Sequence, residues 1–244
     1  CTDVMSYGAA SVMGHNEDDQ PELDGQCFMV DVRPESGPSF VSFYSPGLLP
    51  GHTFGWNEAG LVQTINHLRT HDQQVGVPRH FLTRAVLGCP SLDDALEIIQ
   101  TTKRAGGFHH NLGACSPQPR LVSVEAPSSG VVETVVTHTH AHTNHLLRSE
   151  LAQVPQTIAT SSAERQERAG HLVRDGLQDM GAAATILSDS HNQDWPIRRR
   201  SLNGEDTGFT LAACTFELRA EMLRWRVFGD PAAPALFSGE QPPK

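Results

Sequence analysis

The chain opens with Cys1-Thr2, and the acidic, amide-rich stretch Met13-Gly-His-Asn-Glu-Asp-Asp19 follows closely. A cysteine in first position carries a thiol and a free α-amine, whose ordinary pKa values are about 8.5 and about 8. Near neutral pH one of these groups can act as base for the other. We therefore expect Cys1 to be a nucleophile exposed by cleavage of a precursor. Simple trimming of an upstream segment would leave the same first residue without that function.

The composition is that of a globular protein and argues against several classes of function. The 244 residues suffice for one domain with a sizeable core. The net charge of −10 argues against general affinity for nucleic acid or anionic membranes. Apolar runs in the sequence stay well short of the ~20 residues that span a bilayer. The five cysteines form no C-x-x-C pair, so neither dense disulfides nor a structural zinc site is expected, and Cys89 and Cys214 are assigned to the core.

Short strands on either side of Gly- or Pro-containing turns dominate the pattern. Four pairs are predicted, over 27–33 with 39–44, 52–56 with 61–65, 120–125 with 131–138, and 207–218 with 222–228. Helices are predicted over 78–87, 91–103 and 161–178. Hairpins in series with helices between them predict an α+β fold with antiparallel sheets. The tail over 231–244 is expected to be loosely held.

Four segments outside the first residue are candidates for a site. Residues 13–19 are interpreted as an acidic turn, and 55–61, with Asn57, as a hairpin turn. In 137–145, His138, His140 and His142 would share one face of a strand, which is compatible with a metal site. With no acid nearby in sequence to support the imidazoles, a polar strand is favoured over a metal site. Asn144 in the same segment offers an amide donor for an oxyanion. Residues 189–200 form an arginine-bearing loop, for which a surface basic patch is the alternative.

In this order, the segments resemble the acyl-coenzyme A:6-aminopenicillanic acid acyltransferase family of N-terminal nucleophile hydrolases. The resemblance extends over nearly the whole chain. Its motifs are C-T at 1–2, G-H-N-E-D-D at 14–19, W-N-E-A-G-L at 56–61, T-N-H at 143–145, S-D-S-H with P-I-R-R within 188–199, and G-D-P at 229–231.

The resemblance implies a four-layer αββα sandwich and a precursor that cuts itself before the cysteine. Residues 1–244 would then be one catalytic domain, the β chain, and an upstream α chain from the same precursor would stay bound as its partner. By motif match Cys1 is the nucleophile, Asn144 the oxyanion donor, and Asp18 the residue that orients the cysteine and its amine. Arg199 matches the family's late arginine, although arginines on both sides of it leave the register open.

Two departures from the family pattern bear on the substrate. His15 stands where the family has arginine, and Asp19 where it has tryptophan. The acidic trio Glu17, Asp18 and Asp19 suggests a substrate with a cationic amine, such as a β-alanyl or other aminoacyl amide. The substrate-binding candidates are His15, Glu17, Asp19, Asn57 and Arg199.

The resulting hypothesis is an amidohydrolase or acyltransferase that acts on a small-molecule amide through an acyl-thioester on Cys1. This chemistry requires no metal or organic cofactor, and neither nucleic acid nor membrane is expected as a partner. Two alternatives stay open at this point. One is a coenzyme A-dependent N-acyltransferase of the penicillin type. The other is a non-enzymatic protein that binds a metal through the His-rich strand.

Overall fold

The computed structural model describes residues 1–200 and 208–244 and folds them into two antiparallel sheets with four α-helices. The strands are β1 (Thr2–Ser6), β2 (Ser11–Asp19), β3 (Phe28–Val32), β4 (Phe40–Tyr44), β5 (Gly55–Asn57), β6 (Leu61–His67), β7 (Phe108–Ala114), β8 (Arg120–Ala126), β9 (Val132–Val135), β10 (Thr139–His142), β11 (Phe209–Arg219), β12 (Met222–Phe228) and β13 (Phe237–Gln241). The helices are α1 (Arg79–Val86), α2 (Leu92–Thr101), α3 (Thr160–Gly176) and α4 (Met180–Leu187).

The two sheets have simple neighbour orders. The first sheet runs β10-β1-β2-β11-β12-β13, so both termini of the described chain contribute strands to it. The second runs β3-β4-β5-β6-β7-β8-β9, a meander in which each strand pairs with the next in sequence. None of the described helices is long and apolar enough to cross a membrane.

Three hydrophobic clusters show how the layers stack. The cluster between the sheets contains Met13 from the first sheet and Trp56 from the second, with the ring of Phe216 5.6 Å from that of Trp56. The outer face of the second sheet packs against α1 and α2, and the outer face of the first packs against α3 and α4. The order of layers is therefore helix, sheet, sheet, helix, which confirms the predicted α+β class and αββα sandwich.

Side-chain caps fix the starts of two helices. The Ser91 hydroxyl accepts a hydrogen bond of 3.1 Å from the backbone N–H of Asp94 at the start of α2. The Asp179 carboxylate accepts one of 2.8 Å from Ala182 N–H at the start of α4. Such caps satisfy N–H groups that have no partner within the helix.

The predicted strand pairs recur in the structure with shifted ends, and one predicted first residue, Thr207, lies outside the described part of the chain. Two interpretations were wrong. Residues 13–19 form most of β2, a largely buried strand, instead of an acidic turn. The tail after residue 231 contains β13, which pairs with β12, and the Lys244 ammonium lies 2.9 Å from the Glu58 carboxylate.

We predict that Phe216→Ala lowers the free energy of unfolding by about 3–5 kcal/mol, because it removes a fully buried ring from between the sheets. Urea unfolding followed by circular dichroism measures the change. Phe81→Ala is the matched control, since Phe81 is already 59% exposed, and it should change stability much less. Equal losses in the two variants would contradict this view of the core.

Candidate active site

The amino group of Cys1 is held by two side chains that are distant in sequence. It lies 2.9 Å from Oδ2 of Asp18 and donates a 3.3 Å hydrogen bond to Oδ1 of Asn144. Asp18 is near the end of β2, and Asn144 follows the edge strand β10. Because β1 pairs with both β2 and β10, the residue before β1 is placed between these two side chains.

Asp18 is fixed from the far side by the closing strand. The Thr210 hydroxyl donates a 2.7 Å hydrogen bond to Oδ1 of Asp18, and Nη1 of Arg199 lies 3.5 Å from Oδ2. A β-bulge in β11 places one extra residue opposite this part of β2, a common feature beside functional sites. Burial raises the pKa of the Asp18 carboxyl, but the charges of the Cys1 amine, Arg199 and Arg165 hold that pKa well below its usual range.

The three arginines at 198–200 have different partners. Arg198 binds the Asp230 carboxylate, and the Arg200 guanidinium lies over the ring of Phe209. Arg199 is the arginine of this run whose guanidinium reaches Asp18. The structure thus places the residue chosen from the motif match next to the carboxylate that holds the amine.

The thiol of Cys1 faces a different carboxylate from the one that holds the amine. Its Sγ lies 3.6 Å from Oε2 of Glu17. Successive side chains of a strand point to opposite faces of the sheet, so Glu17 and Asp18 diverge: Glu17 lies on the face between the sheets, and Asp18 on the helix side. Cys1 lies at the end of the sheet, where its two functional groups reach both faces.

Behind Glu17, a buried histidine joins two carboxylates. His15 Nδ1 is 2.9 Å from Oδ1 of Asp3, and its Nε2 is 3.0 Å from Oε2 of Glu17, which also accepts a hydrogen bond from the Thr53 hydroxyl. Burial lowers the pKa of the His15 imidazole, but the charges and hydrogen bonds of Asp3 and Glu17 raise it to about 9. His15 is therefore a cation near neutral pH. It lies outside the cavity lining, as a support for Glu17 instead of a surface for substrate.

Arg165, on α3, is a site residue that the sequence patterns did not reveal. Its guanidinium donates to the Cys1 carbonyl at 2.5 Å, to the Thr2 hydroxyl at 2.9 Å and to Oδ1 of Asn144 at 2.9 Å. The amide nitrogen of Asn144 donates to the His67 carbonyl at 3.2 Å. Arg165 thus fixes both the backbone of the nucleophile and the orientation of the Asn144 amide. Its only sequence signal is a charge on an amphipathic helix, which usually marks a solvated face.

The charges around the Cys1 amine also set its proton affinity. Burial lowers the pKa of the amine, Asp18 opposes that change, and Arg165 and Arg199 lower the pKa further. Together these effects place the pKa of the amine below its ordinary value of 8.0. A larger fraction of the amine is therefore unprotonated near neutral pH, as a base requires.

A cavity of about 490 Å³ opens onto Cys1. Glu17, Asp18, Asp19, Asn144 and Arg199 all line it, so the fold brings these sequence-predicted residues together. Asp19 is half-buried, and burial raises the pKa of its carboxyl.

Asn57, one of the predicted substrate-binding residues, does not belong to this cavity. Its amide donates to the carbonyls of Leu87 and Cys89 and accepts from the N–H groups of Ala59 and Leu61. The prediction is corrected here: Asn57 ties the turn between β5 and β6 to the segment between α1 and α2. All of its hydrogen-bonding capacity serves the backbone, so none is left for a substrate.

The histidines of the 137–145 segment are spread over different environments. His138 is exposed, whereas His142 is buried with its ring stacked on that of His109 at a centroid distance of 3.3 Å. His142 Nε2 lies 3.1 Å from Oε1 of Glu125, an acid that is distant in sequence. Within residues 1–200 and 208–244, the side-chain cluster with metal-ligand spacing is Cys1, His15 and Glu17, whose ligand atoms lie within 4.8 Å of one another. The His-rich strand is not part of it.

The other four cysteines are poor nucleophiles. Burial raises the pKa of the Cys89 thiol to about 11 and that of Cys115 to about 12, and it also raises those of Cys27 and Cys214. A thiol with a raised pKa carries little thiolate near neutral pH. Cys89 and Cys214 lie in the core, as predicted.

The two packed antiparallel sheets with their outer helices have the fold of the N-terminal nucleophile hydrolases. Three solved structures share the fold at 10–13% identity. They are an ortholog of N-acylethanolamine-hydrolyzing acid amidase from Caenorhabditis elegans (13% identity, TM-score 0.61, 88% of this chain and 92% of that one), a variant of conjugated bile acid hydrolase from Clostridium perfringens (10%, 0.63, 99% and 92%), and penicillin V acylase from Agrobacterium tumefaciens (13%, 0.59, 93% and 82%).

Sequence comparison then identifies the family. The profile of the acyl-coenzyme A:6-aminopenicillanic acid acyl-transferase family matches residues 6–233, so the chain belongs to that family. A curated relative is the β-alanyl-dopamine/carcinine hydrolase of Drosophila melanogaster, 32% identical over 110 residues. That match spans 41% of this chain and 28% of the fly protein.

We predict that His15→Gln flattens the pH dependence of stability. A group whose pKa rises on folding stabilises the protein fully below its unfolded pKa, near 6.5, and this stabilisation is lost as pH rises through the folded value of about 9. The free energy of unfolding of the natural chain should therefore fall between pH 7 and 10 by up to roughly 3 kcal/mol more than that of His15→Gln. Urea titrations at several pH values measure the difference.

His191→Gln, at an exposed histidine, serves as the control and should keep the natural slope. Parallel stability curves for the natural chain and His15→Gln would show that His15 is not a buried cation.

Proposed function

We propose that this chain is an N-terminal cysteine amidohydrolase or acyltransferase that cleaves a small amide C–N bond through an acyl-thioester on Cys1. One observation carries the proposal. The Cys1 amine is held between Asp18 and Asn144 while the Cys1 thiol faces Glu17, at the wall of a cavity large enough for a small molecule.

The first step is proton transfer within the first residue. The amine, directly or through one water, accepts the thiol proton, and the resulting thiolate attacks the substrate carbonyl carbon. The lowered pKa of the amine supports this role, because a free base is needed before each turnover. Asp18 then stabilises the ammonium that forms, since its carboxylate lies 2.9 Å away.

The tetrahedral intermediate places negative charge on the former carbonyl oxygen. The Asn144 amide carries two N–H donors, and one of them is used by the His67 carbonyl. We assign the other to the oxyanion, where such a donor contributes about 3–4 kcal/mol in comparable sites. Arg165 supports this role by holding Oδ1, so the amide keeps the same orientation throughout the reaction.

Collapse of the intermediate breaks the C–N bond. The ammonium returns its proton to the departing amine, and the acyl group remains on Sγ as a thioester. Water completes a hydrolysis, whereas an incoming amine completes an acyl transfer, with the α-amine of Cys1 as the base in both cases.

The mechanism requires Cys1 to have a free amine, so we propose that the chain matures by cleavage before Cys1. A preceding residue would convert this amine into a non-basic amide nitrogen and remove the charge that pairs with Asp18. The upstream α chain, retained as a partner, belongs to the same proposal.

The acidic residues in the cavity lining suggest that the acyl group of the substrate carries a positive charge. Glu17 and Asp19 line the cavity on the Cys1 side, and a cationic amine on the substrate would complement them. The fly relative named for a β-alanyl amide fits this inference. We therefore propose aminoacyl amides, β-alanyl amides among them, as the substrate class.

We predict that a β-alanyl amide leaves an acyl adduct on Cys1 that intact-mass spectrometry detects after acid quenching. Cys1→Ala should form no adduct and no product, because it lacks the sulfur that carries the acyl group. In a precursor with residues before position 1, Cys1→Ala should also prevent cleavage. Cys27→Ala is the control, since that half-buried thiol lies outside the cavity lining, and it should keep adduct and turnover. Turnover by Cys1→Ala would refute the nucleophile.

We predict that an aminoacyl amide is hydrolysed at least about tenfold faster, in kcat/KM, than its N-acetylated analogue. Loss of one charge-assisted hydrogen bond, worth about 1.5–3 kcal/mol, is the reason. Asp19→Asn should reduce this preference, while Asp31→Asn, at an exposed acid paired with Arg33, should not. Equal rates for the two substrates would remove the cationic acyl group from the proposal and leave the amide chemistry intact.

A further inference from the structure

The cavity at Cys1 also has a cationic wall, whose charge comes from Arg69 and Arg79 and which His67 and His80 complete. His67 ends β6, and Arg79 and His80 begin α1. The same four side chains line an adjoining cavity of about 410 Å³. The cationic wall therefore faces both spaces, and a substrate that extends from Cys1 in this direction passes it.

Arg79 presents a charge that the described protein does not neutralise. Its guanidinium lies over the Phe108 ring at 4.3 Å and donates to the Gly107 carbonyl at 3.3 Å. Across the described ranges, no carboxylate lies within ion-pair distance of Arg79 or Arg69. Burial lowers the pKa of Arg79. A half-buried cation with one long hydrogen bond is a ready site for an anion.

Two other arginines show what a structural role looks like in this chain. Arg104 is buried and donates to four backbone carbonyls, those of Ile99, Thr102, Pro127 and Gly130, which occupy four of the five N–H donors of its guanidinium. Arg84, also on α1, lies over the Phe40 ring at 4.2 Å, much as Arg79 lies over Phe108. Arg84 does not line the cavity. Arg79 combines the same stacking with access to the space in front of Cys1.

The two histidines beside Arg79 can add hydrogen bonds to an anion bound there. Burial and the charges of Arg79 and Arg69 lower the pKa of His67 to about 4, and burial and Arg79 lower that of His80. Both rings are therefore neutral at neutral pH and can donate a hydrogen bond. Arginine pairs with carboxylates through two parallel N–H donors, which fixes the orientation of the bound group.

We propose that Arg79, with Arg69 beside it, binds a carboxylate on the leaving-amine part of the substrate. The inference rests on the proposed amide hydrolysis and narrows its substrate class. Because Glu17 and Asp19 line the cavity together with Arg69 and Arg79, the cavity complements a dipolar molecule, with an ammonium on the acyl part and a carboxylate on the amine part. An aminoacyl amino acid has this charge distribution.

The test compares β-alanyl-histidine with β-alanyl-histamine, which differ by a single carboxylate. The natural chain should hydrolyse β-alanyl-histidine with a kcat/KM at least about tenfold higher, as expected for one charge-assisted pair. Arg79→Gln should reduce this ratio about tenfold, and Arg79→Lys should keep part of it. Arg84→Gln is the matched control and should leave the ratio unchanged. Equal turnover of both substrates by the natural chain, or an unchanged ratio in Arg79→Gln, would overturn the inference.

A second measurement separates this inference from the proposed function. The rate at which iodoacetamide alkylates Cys1 is followed by intact mass with each dipeptide analogue present. β-Alanyl-histidine should protect Cys1 at lower concentration than β-alanyl-histamine in the natural chain, and Arg79→Gln should remove that difference. If neither compound is hydrolysed, the proposed substrate class fails while protection still tests the cationic wall. If both compounds are hydrolysed but protect Cys1 equally, the proposed function is retained and the proposed carboxylate binding by Arg79 is refuted. Arg69→Gln, at an exposed position, gives the same readout should Arg79→Gln fail to fold.

Discussion

The ion pair between the Cys1 amine and Asp18 is the contact on which the rest of the site depends. It forms at 2.9 Å with both partners almost excluded from water, where an uncompensated charge would be costly. Compensation comes from all sides: Arg199 and Thr210 hold the carboxylate, and Asn144 and Arg165 hold the nucleophile residue. These groups come from strands, from α3 and from the loops after β10 and before β11, which only the complete sandwich brings together.

Much of the electrostatic character of the site comes from β2. This strand carries His15, Glu17 and Asp18, and its neighbours β1 and β11 contribute Asp3 and Thr210. On the face between the sheets, Asp3, the His15 imidazolium and Glu17 form a chain that ends at the sulfur of Cys1. On the other face, Asp18 binds the nitrogen of Cys1. His15, Glu17 and Asp18 can lie together on one central strand because each of these three charges has a partner of opposite sign within about 3.5 Å.

This strand also shows what sequence could and could not reveal. Hairpins marked by turn residues were found, because those turns are local and depend on a few side chains. The sequence predicts an acidic turn where β2 lies, since buried polar residues mask the alternation that identifies a strand. The order of the motifs predicts Cys1, Asp18, Asn144 and Arg199 as site residues, and the structure places all four around one cavity. No motif predicts Arg165, because nothing near it in sequence indicates that its helix packs over the first residue. The predicted role of Asn57 differs from the structure for a similar reason, because the backbone carbonyls that its amide binds are distant in sequence.

The divergence of Glu17 and Asp18 has a consequence for how such a site can change over time. The sulfur of Cys1 lies next to Glu17 and its nitrogen next to Asp18, and these carboxylates lie on opposite faces of β2. A substitution at Glu17 therefore alters the surroundings of the sulfur, and one at Asp18 alters those of the nitrogen. Nucleophilicity and basicity are thereby separable traits. Evolution or protein engineering could change the nucleophilicity of the thiol without changing the basicity of the amine, or the reverse.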